Sequence, residues 1–313
     1  MLNSLLQNIF NVEFFASSLR LAAPLMLAVL GGIVSERTGV VNLSLEGYLL
    51  VGAFFGFLGS YFTGSAILGV LIAMAAAVVF GSLYAFSAVN LNLNQIVMAV
   101  VINMLAVGLT STLFRTIFGT TTNQLTAPGF KPIIIPVLSQ IPIIGPIFFK
   151  QTIFVYIGLI LLPITSWVIN KTTIGLKIRA SGEYPKAADT MGVPVSKVRF
   201  LSLMYSAAIC GIGGASLSIS GLNTFIDNMS SGRGFIAFSC IIFGKFRPAG
   251  AIFAAMLFGI FESTQLRIQA VGIPIPYQIP LMFPYALTLI MLIVMGASMA
   301  PQNWGVPYES EAE

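Results

Sequence analysis

Long apolar runs broken by short polar turns set the plan of this chain. Runs at 12–34, 40–62, 65–89, 94–118, 151–170, 200–222 and 278–298 each approach the length that crosses a bilayer, roughly 20 residues. Two more, at 234–244 and 249–264, are shorter, and the first cannot cross unassisted. None alternates with period two, so the runs predict helices rather than the strands of a barrel. The expected fold is all-α: a polytopic membrane protein of about 8–10 transmembrane helices, some of them broken or half-length, in a single domain over 1–313.

Two departures from plain hydrophobicity stand out. The run at 40–62 opens Val41-Asn42-Leu43-Ser44-Leu45-Glu46-Gly47 and continues with Gly52, Gly56 and Gly59. Asn42, Ser44 and Glu46 alternate, which does not suit a helix facing lipid. Irregular backbone at membrane depth survives only where protein covers it or water reaches it. A broken, pore-lining segment is one reading; a helix end touching headgroups is the other. The pieces 42–52 and 234–244 both start from a polar residue and lead into Gly-rich runs, and paired interruptions of this kind mark transport sites near the midplane. Elsewhere Arg20 is expected to snorkel or face the bundle. Gly69 and Gly81 are expected to permit close helix packing. Five prolines in 119–150 predict a rigid surface loop with a partly dipping section. Glu262 is expected to partner Arg267 or to lie at the interface.

The second departure is a polar island at 171–199, holding Lys171, Lys177, Arg179, Lys186, Lys197 and Arg199. Pro185 suits the first position of a helix, where its missing N–H is no loss. Gly192 suits a left-handed cap and Pro194 blocks continuation. A helix of about two turns results, with Tyr184, Ala187, Ala188 and Met191 in one stripe. So short a helix needs something to pack against. Two partners fit the pattern: the chain's own bundle, or a second protein.

Composition sharpens this picture. Charged residues are 8% of the chain and apolar residues 57%, against about a quarter charged in soluble domains. The net charge of +5 resides in loop lysines and arginines that orient the chain. No basic patch interleaves with exposed aromatics, so no nucleic-acid partner is expected. With the island cytoplasmic, Arg37, Lys245 and Arg247 fall on the same side. Arg115, Lys131, Lys150, Arg233 and Arg267 then fall outside, as does the N-terminus, while the C-terminal tail at 301–313 is cytoplasmic. Cys210 and Cys240 lie in apolar runs and read as packing residues. The chain has no histidine, which removes the commonest metal ligand and general base. No metal site and no catalytic group is expected, and an intramembrane enzyme is disfavoured. An ion-coupled transporter would have to rely on Glu46 and Glu262.

Several of these residues match a known pattern. Glu183-Tyr184-Pro185-Lys186-Ala187-Ala188-Asp189-Thr190-Met191-Gly192-Val193 resembles the cytoplasmic coupling segment of ABC importer permeases, with its fixed alanine-to-glycine step at Ala188 and Gly192. Thr173-Ile174-Gly175-Leu176-Lys177-Ile178-Arg179-Ala180 is similar to the branch serving simple sugars, nucleosides and branched-chain amino acids. Asn42 to Gly47 resembles that branch's second signature, and Gly234 to Phe238 with Phe243-Gly244 its third. The resemblance implies a permease subunit without ATPase activity, in a bacterial inner membrane. It implies a cytoplasmic ABC ATPase carrying ATP and Mg, a second permease subunit, either copy or paralogue, and an extracytoplasmic substrate-binding protein. Glu183, Tyr184, Ala187, Ala188, Met191 and Gly192 would then contact the ATPase. The apparent lack of an extra first span, and Glu46 itself, are similar to nucleoside permeases. Ribose-like sugars and vitamins such as riboflavin are alternative substrates. For a neutral ribosyl solute, amide and hydroxyl groups are the chemistry required, and Asn42, Ser44, Glu46, Asn94, Asn103 and Asn223 are the candidates along the pathway.

Overall fold

The computed structural model describes residues 11–119, 125–136, 138–142, 144–271, 282 and 300–309. The expected run at 278–298 lies outside the described residues. Helix α1 spans Val12–Glu36 and starts where the Asn11 side chain accepts from the Phe14 amide. It is followed by α2 (Leu45–Thr63), α3 (Ala66–Ala85), α4 (Gln95–Phe118), the short α5 (Ile144–Phe148) and α6 (Ile153–Lys171). Then come α7 (Thr173–Glu183), α8 (Pro185–Thr190), α9 (Val195–Leu217), α10 (Arg233–Phe243) and α11 (Pro248–Val271). α3 and α9 each end in a π turn, at Phe86–Asn90 and Ser218–Leu222. Among the described residues, seven helices are long and apolar enough to cross a membrane: α1, α2, α3, α4, α6, α9 and α11. The protein is an all-α polytopic membrane protein.

Burial separates core from rim. The central stretches of α1 and α2 are 83% and 78% buried, against 28% for α3, α4 and α6. The outward faces of those rim helices carry Ile67, Val79, Met104 and Ile160, which suits contact with acyl chains. In lipid the hydrophobic effect no longer drives helices together, so small residues that let backbones approach become the packing device. Here α9 is the hub, packed against α1, α2 and α3. A Cβ on Gly31 would lie 2.8 Å from the Ser206 carbonyl. One on Gly81 would overlap Ala207, and one on Gly214 would overlap the Leu49 carbonyl. The expected close packing at Gly69 holds as well, against the Gly56 carbonyl at 2.7 Å.

The connection after α4 is not a helix. Strands β1 (Ile133–Ile134) and β2 (Lys150–Gln151) pair antiparallel, with Ile133 opposite Gln151. Residues 125–130 dip into the bundle: the Ala127 and Phe130 amides donate to the Asn223 and Ile219 carbonyls. Arg20 and Lys150 line a cavity of about 460 Å³ beside this loop.

One consequence is testable in detergent. Gly214→Ala is expected to lower the melting temperature, since overpacking a closed helix contact costs about 1–3 kcal/mol. Gly108→Ala, whose added Cβ meets nothing within 4 Å, is expected to leave it unchanged. Equal melting of the two variants would show that α2 and α9 are not packed this closely.

Candidate functional site

The chain does not pass straight from α1 into α2. Residues 40–44 are non-helical and climb into the bundle beside α4. The Val41 amide donates to Gln95 Oε1 at the foot of α4, and Asn103 Nδ2 donates to the Leu43 carbonyl. Asn103 Oδ1 also accepts from the Gly47 amide. Asn103 lies eight residues beyond Gln95, so the climb is about 12 Å. α2 therefore begins about two turns along α4, after a broken segment.

A second interruption meets it there. After α9 the chain returns through 223–232, with Asn223, Asn228, Ser231 and Gly232 all at positive φ. This path aims its amides at one carboxylate. Glu46 Oε1 accepts from Ser230 Oγ at 2.5 Å and the Gly232 amide at 2.8 Å. Glu46 Oε2 accepts from the Gly234 amide at 2.6 Å. Glu46 thus caps α10, an eleven-residue helix, and satisfies two amides at its start that have no partner within the helix. Beside it Arg233 pairs with Glu262. The Glu262–Arg267 pairing expected from sequence is therefore corrected: Arg267 donates instead to Asn11 Oδ1. Arg233 belongs to this buried junction rather than to an open loop, because its guanidinium is held by Glu262 and by the Met229 and Ser230 carbonyls.

Asn42 ties the base of the broken segment to the neighbouring helices. Its Nδ2 donates to Ser35 Oγ and Ser206 Oγ, both at 3.1 Å, and its amide donates to Glu36 Oε1 at 2.6 Å. Ser44 Oγ and Tyr48 OH are buried nearby and face one another, with no further hydrogen-bond partner among the described residues. The other proposed pathway residues lie apart. Asn94 is exposed and caps α4, accepting from the Ile96 and Val97 amides. Asn223 ends the π turn of α9, with its Oδ1 buried and without a hydrogen-bond partner among the described residues.

On the island face, α8 is a six-residue helix with Pro185 first and Gly192 at φ 81° closing it. The stripe is split by the geometry. Tyr184, Ala187 and Met191 are exposed, Met191 at 84%. Ala188 instead packs inward on Val195 and Tyr308. Glu183, which ends α7, faces the C-terminal tail. Its Oε2 accepts from the Gln302 amide, and its carbonyl from Asn303 Nδ2.

That tail is the part sequence reasoning missed. Residues 300–309 lie back over the island face. Trp304 Nε1 donates to Glu36 Oε2 at 2.6 Å, and its ring stacks on Phe238 of α10. Tyr308 OH donates to Asp189 Oδ2 of α8. The Asn303 and Gly305 amides donate to the Gly182 and Gly39 carbonyls. Arg199, nearly fully buried, donates to the carbonyls of Thr38, Ser181 and Val306. One strap thus touches α8, the α1–α2 turn and α10. The visible hint was aromatic: one of the chain's two tryptophans and a tyrosine lie in a segment otherwise read as an acidic tail.

The sequence also matches known proteins. Residues 14–296 match the family model for the permease component of branched-chain amino acid transport systems. The guanosine ABC transporter permease NupQ of Bacillus subtilis is 41% identical over 92% of this chain and 93% of its own length. The nucleoside ABC transporter permease NupC of Lactococcus lactis is 35% identical over 94% of this chain and 95% of its own. The putative glucose ABC transporter permease TsgC13 of Haloferax volcanii is 35% identical over 87% of this chain and 82% of its own. In such transporters the permease forms the pore and a separate subunit hydrolyses ATP. With seven apolar helices of crossing length among the described residues and a match over nearly its whole length, this chain belongs to the ABC permease family of branched-chain amino acid transport systems.

Proposed function

We propose that this chain is one permease subunit of an ABC importer that carries a nucleoside across a bacterial inner membrane. The observation that carries the coupling role is the exposed triad Tyr184, Ala187 and Met191 on a helix whose other side is anchored by Ala188. An exposed apolar stripe on an anchored helix is the form a groove on an ATPase subunit recognises. ATP and Mg are held by that partner and none by this chain. A second permease subunit completes the pore, and an extracytoplasmic binding protein delivers the solute. In this reading the island face is cytoplasmic. Purine nucleoside is favoured over sugar because the guanosine permease NupQ is 41% identical to this chain. Glu46 and Glu262 are both committed to protein partners, which weighs against ion coupling through either.

Within the pathway, Asn42, Asn103 and Glu46 act as the holders of the broken segments. Asn223 Oδ1 and the facing Ser44 and Tyr48 hydroxyls have no further partner among the described residues, and these are the groups for a solute or its water. The tail then carries the stroke. A shift of α8 pulls Tyr308 through Asp189, and Trp304 passes it to Glu36 and to α10.

Three outcomes are expected. Met191→Glu, together with Ala187→Glu, should lower co-purification of the ATPase at least about tenfold, an introduced charge costing more than 1.4 kcal/mol at an apolar contact, with melting unchanged. Retention of the ATPase by this exposed double variant would overturn the docking assignment. Cells expressing the complete transporter should take up labelled guanosine, with excess unlabelled ribose failing to compete. Competition by ribose alone would make the solute a sugar. Trp304→Phe keeps the ring but removes the donor to Glu36. Uptake should fall severalfold while the ATPase still co-purifies, and full uptake would release the tail from the coupling role.

A further inference from the structure

The island face holds a concentration of positive charge that neither docking nor permeation uses. Arg37, Arg179 and Arg247 line one open cavity of about 530 Å³, together with Ser166, Asn170 and a single carboxylate, Glu183. That carboxylate is already engaged by the Gln302 amide. Arg37 spends its Nε on the Phe246 carbonyl at 2.8 Å, which fixes its guanidinium at the cavity wall. Arg179 Nε is desolvated and has no hydrogen-bond partner among the described residues. Burial pushes Arg37 below the usual arginine range; Glu183 opposes this, and Arg179 and Arg247 add to it. Three guanidiniums crowd one carboxylate, so the cavity carries a net charge of about +2 with its ion-pairing capacity unmet.

Guanidinium forks match the oxygens of phosphates and carboxylates bidentately, and three of them around one cavity suit an anion with several equivalent oxygens, such as a phosphate. The cavity also has a defined depth. Ser166 and Asn170 stand on the last turns of α6, a membrane-crossing helix ending at Lys171, and Asn170 Nδ2 donates back to the Ser166 carbonyl. A polar, basic pocket between helices at the end of a crossing helix lies at the level where an anionic headgroup sits. We infer that the Arg37, Arg179 and Arg247 cavity is a binding site for a phosphate-bearing anion, the phosphodiester of an anionic lipid headgroup being the form its depth favours. The site does not depend on which solute is transported.

The test uses the full chain, purified and delipidated in detergent. Binding of phosphatidylglycerol, phosphatidylcholine and inorganic phosphate is measured by native mass spectrometry and calorimetry for wild type, for Arg179→Gln with Arg247→Gln, and for Arg115→Gln. Arg115 is a control with a 68% exposed side chain, paired with Asp227 far from this cavity. Wild type should prefer phosphatidylglycerol to phosphatidylcholine. The double variant should bind phosphatidylglycerol at least about tenfold more weakly, since each charged hydrogen bond is worth roughly 1.5–3 kcal/mol. The Arg115 variant should match wild type. Inorganic phosphate binding that the double variant loses, without lipid discrimination, keeps the site and assigns it to a soluble phosphate. Unchanged binding of both probes in the double variant overturns the inference. So does loss of the ATPase with lipid and phosphate binding intact, because the arginines would then answer to carboxylates on a protein. Arg247→Gln alone, an exposed position, guards against misfolding: it should weaken binding with melting unchanged.

Discussion

A backbone amide inside a bilayer must find its partner within the protein, and this fold depends on how that demand is met at Glu46. Two stretches of chain, 40–44 and 223–232, leave regular structure between apolar helices. Each alone would orphan several polar groups at several kcal/mol apiece in hydrocarbon. The chain meets both demands at one place. Asn103 and Gln95 serve the first stretch from α4, and the Glu46 carboxylate serves the second by accepting from Ser230, Gly232 and Gly234. The approach is closer than any side chain would allow, because a Cβ on Gly234 would overlap the Glu46 backbone. A carboxylate is the right group here. It only accepts, it has two oxygens for three donors, and its charge lies at the positive end of α10.

This arrangement explains how the short helix α8 is remote from the broken helices and still linked to them. Glu36, one residue before the turn, holds the Asn42 amide with one oxygen and Trp304 with the other. Trp304 packs on Phe238 and Phe246, at the sides of and just beyond α10. Asn42 in turn reaches Ser206 on α9. The island face is therefore linked from Asp189 through the tail to the foot of the 40–44 segment by hydrogen bonds, and to α10 by aromatic packing. Rigid connections of this kind have two useful arrangements or none, since a closely packed bundle does not deform gradually.

The sequence disclosed the helices more fully than their junctions. Crossing helices follow from apolar length, a property of each segment alone, and the expected boundaries of α2, α3, α4 and α6 fall close to those observed. The interruption at 42–46 was also legible, because alternating Asn, Ser and Glu is incompatible with a lipid-facing helix. What local pattern did not reveal is which distant group completes each polar residue. Glu262 was matched with the nearer Arg267, yet chain return at 223–232 delivers Arg233 to it. The stripe on α8 read as one face, but its helix is too short to present four residues together, and Ala188 turns inward to meet Tyr308. Tyr308 was itself invisible as a partner, because a tail of mixed composition gives no periodicity from which docking can be read.

A transporter has to open a path without unfolding, and the distribution of polar contacts shows where that is affordable. The core pair α1 and α9 is joined through glycines and buried apolar residues, with few polar ties to exchange. Moving it would break packing with nothing gained in return. The broken segments differ: Asn223 Oδ1 and the facing Ser44 and Tyr48 hydroxyls have no further partner among the described residues. A buried polar atom left without a partner costs about 1–3 kcal/mol, relieved when water or another polar group reaches it. Exchange of partners is thus easier at these positions than separation of the closed helix contacts. Differential stabilisation of this sort is what lets a ligand bias one conformation over another. The half-helix α10 lies between the two kinds of contact, capped at one end by Glu46 and held beyond the other by Arg37 and Trp304.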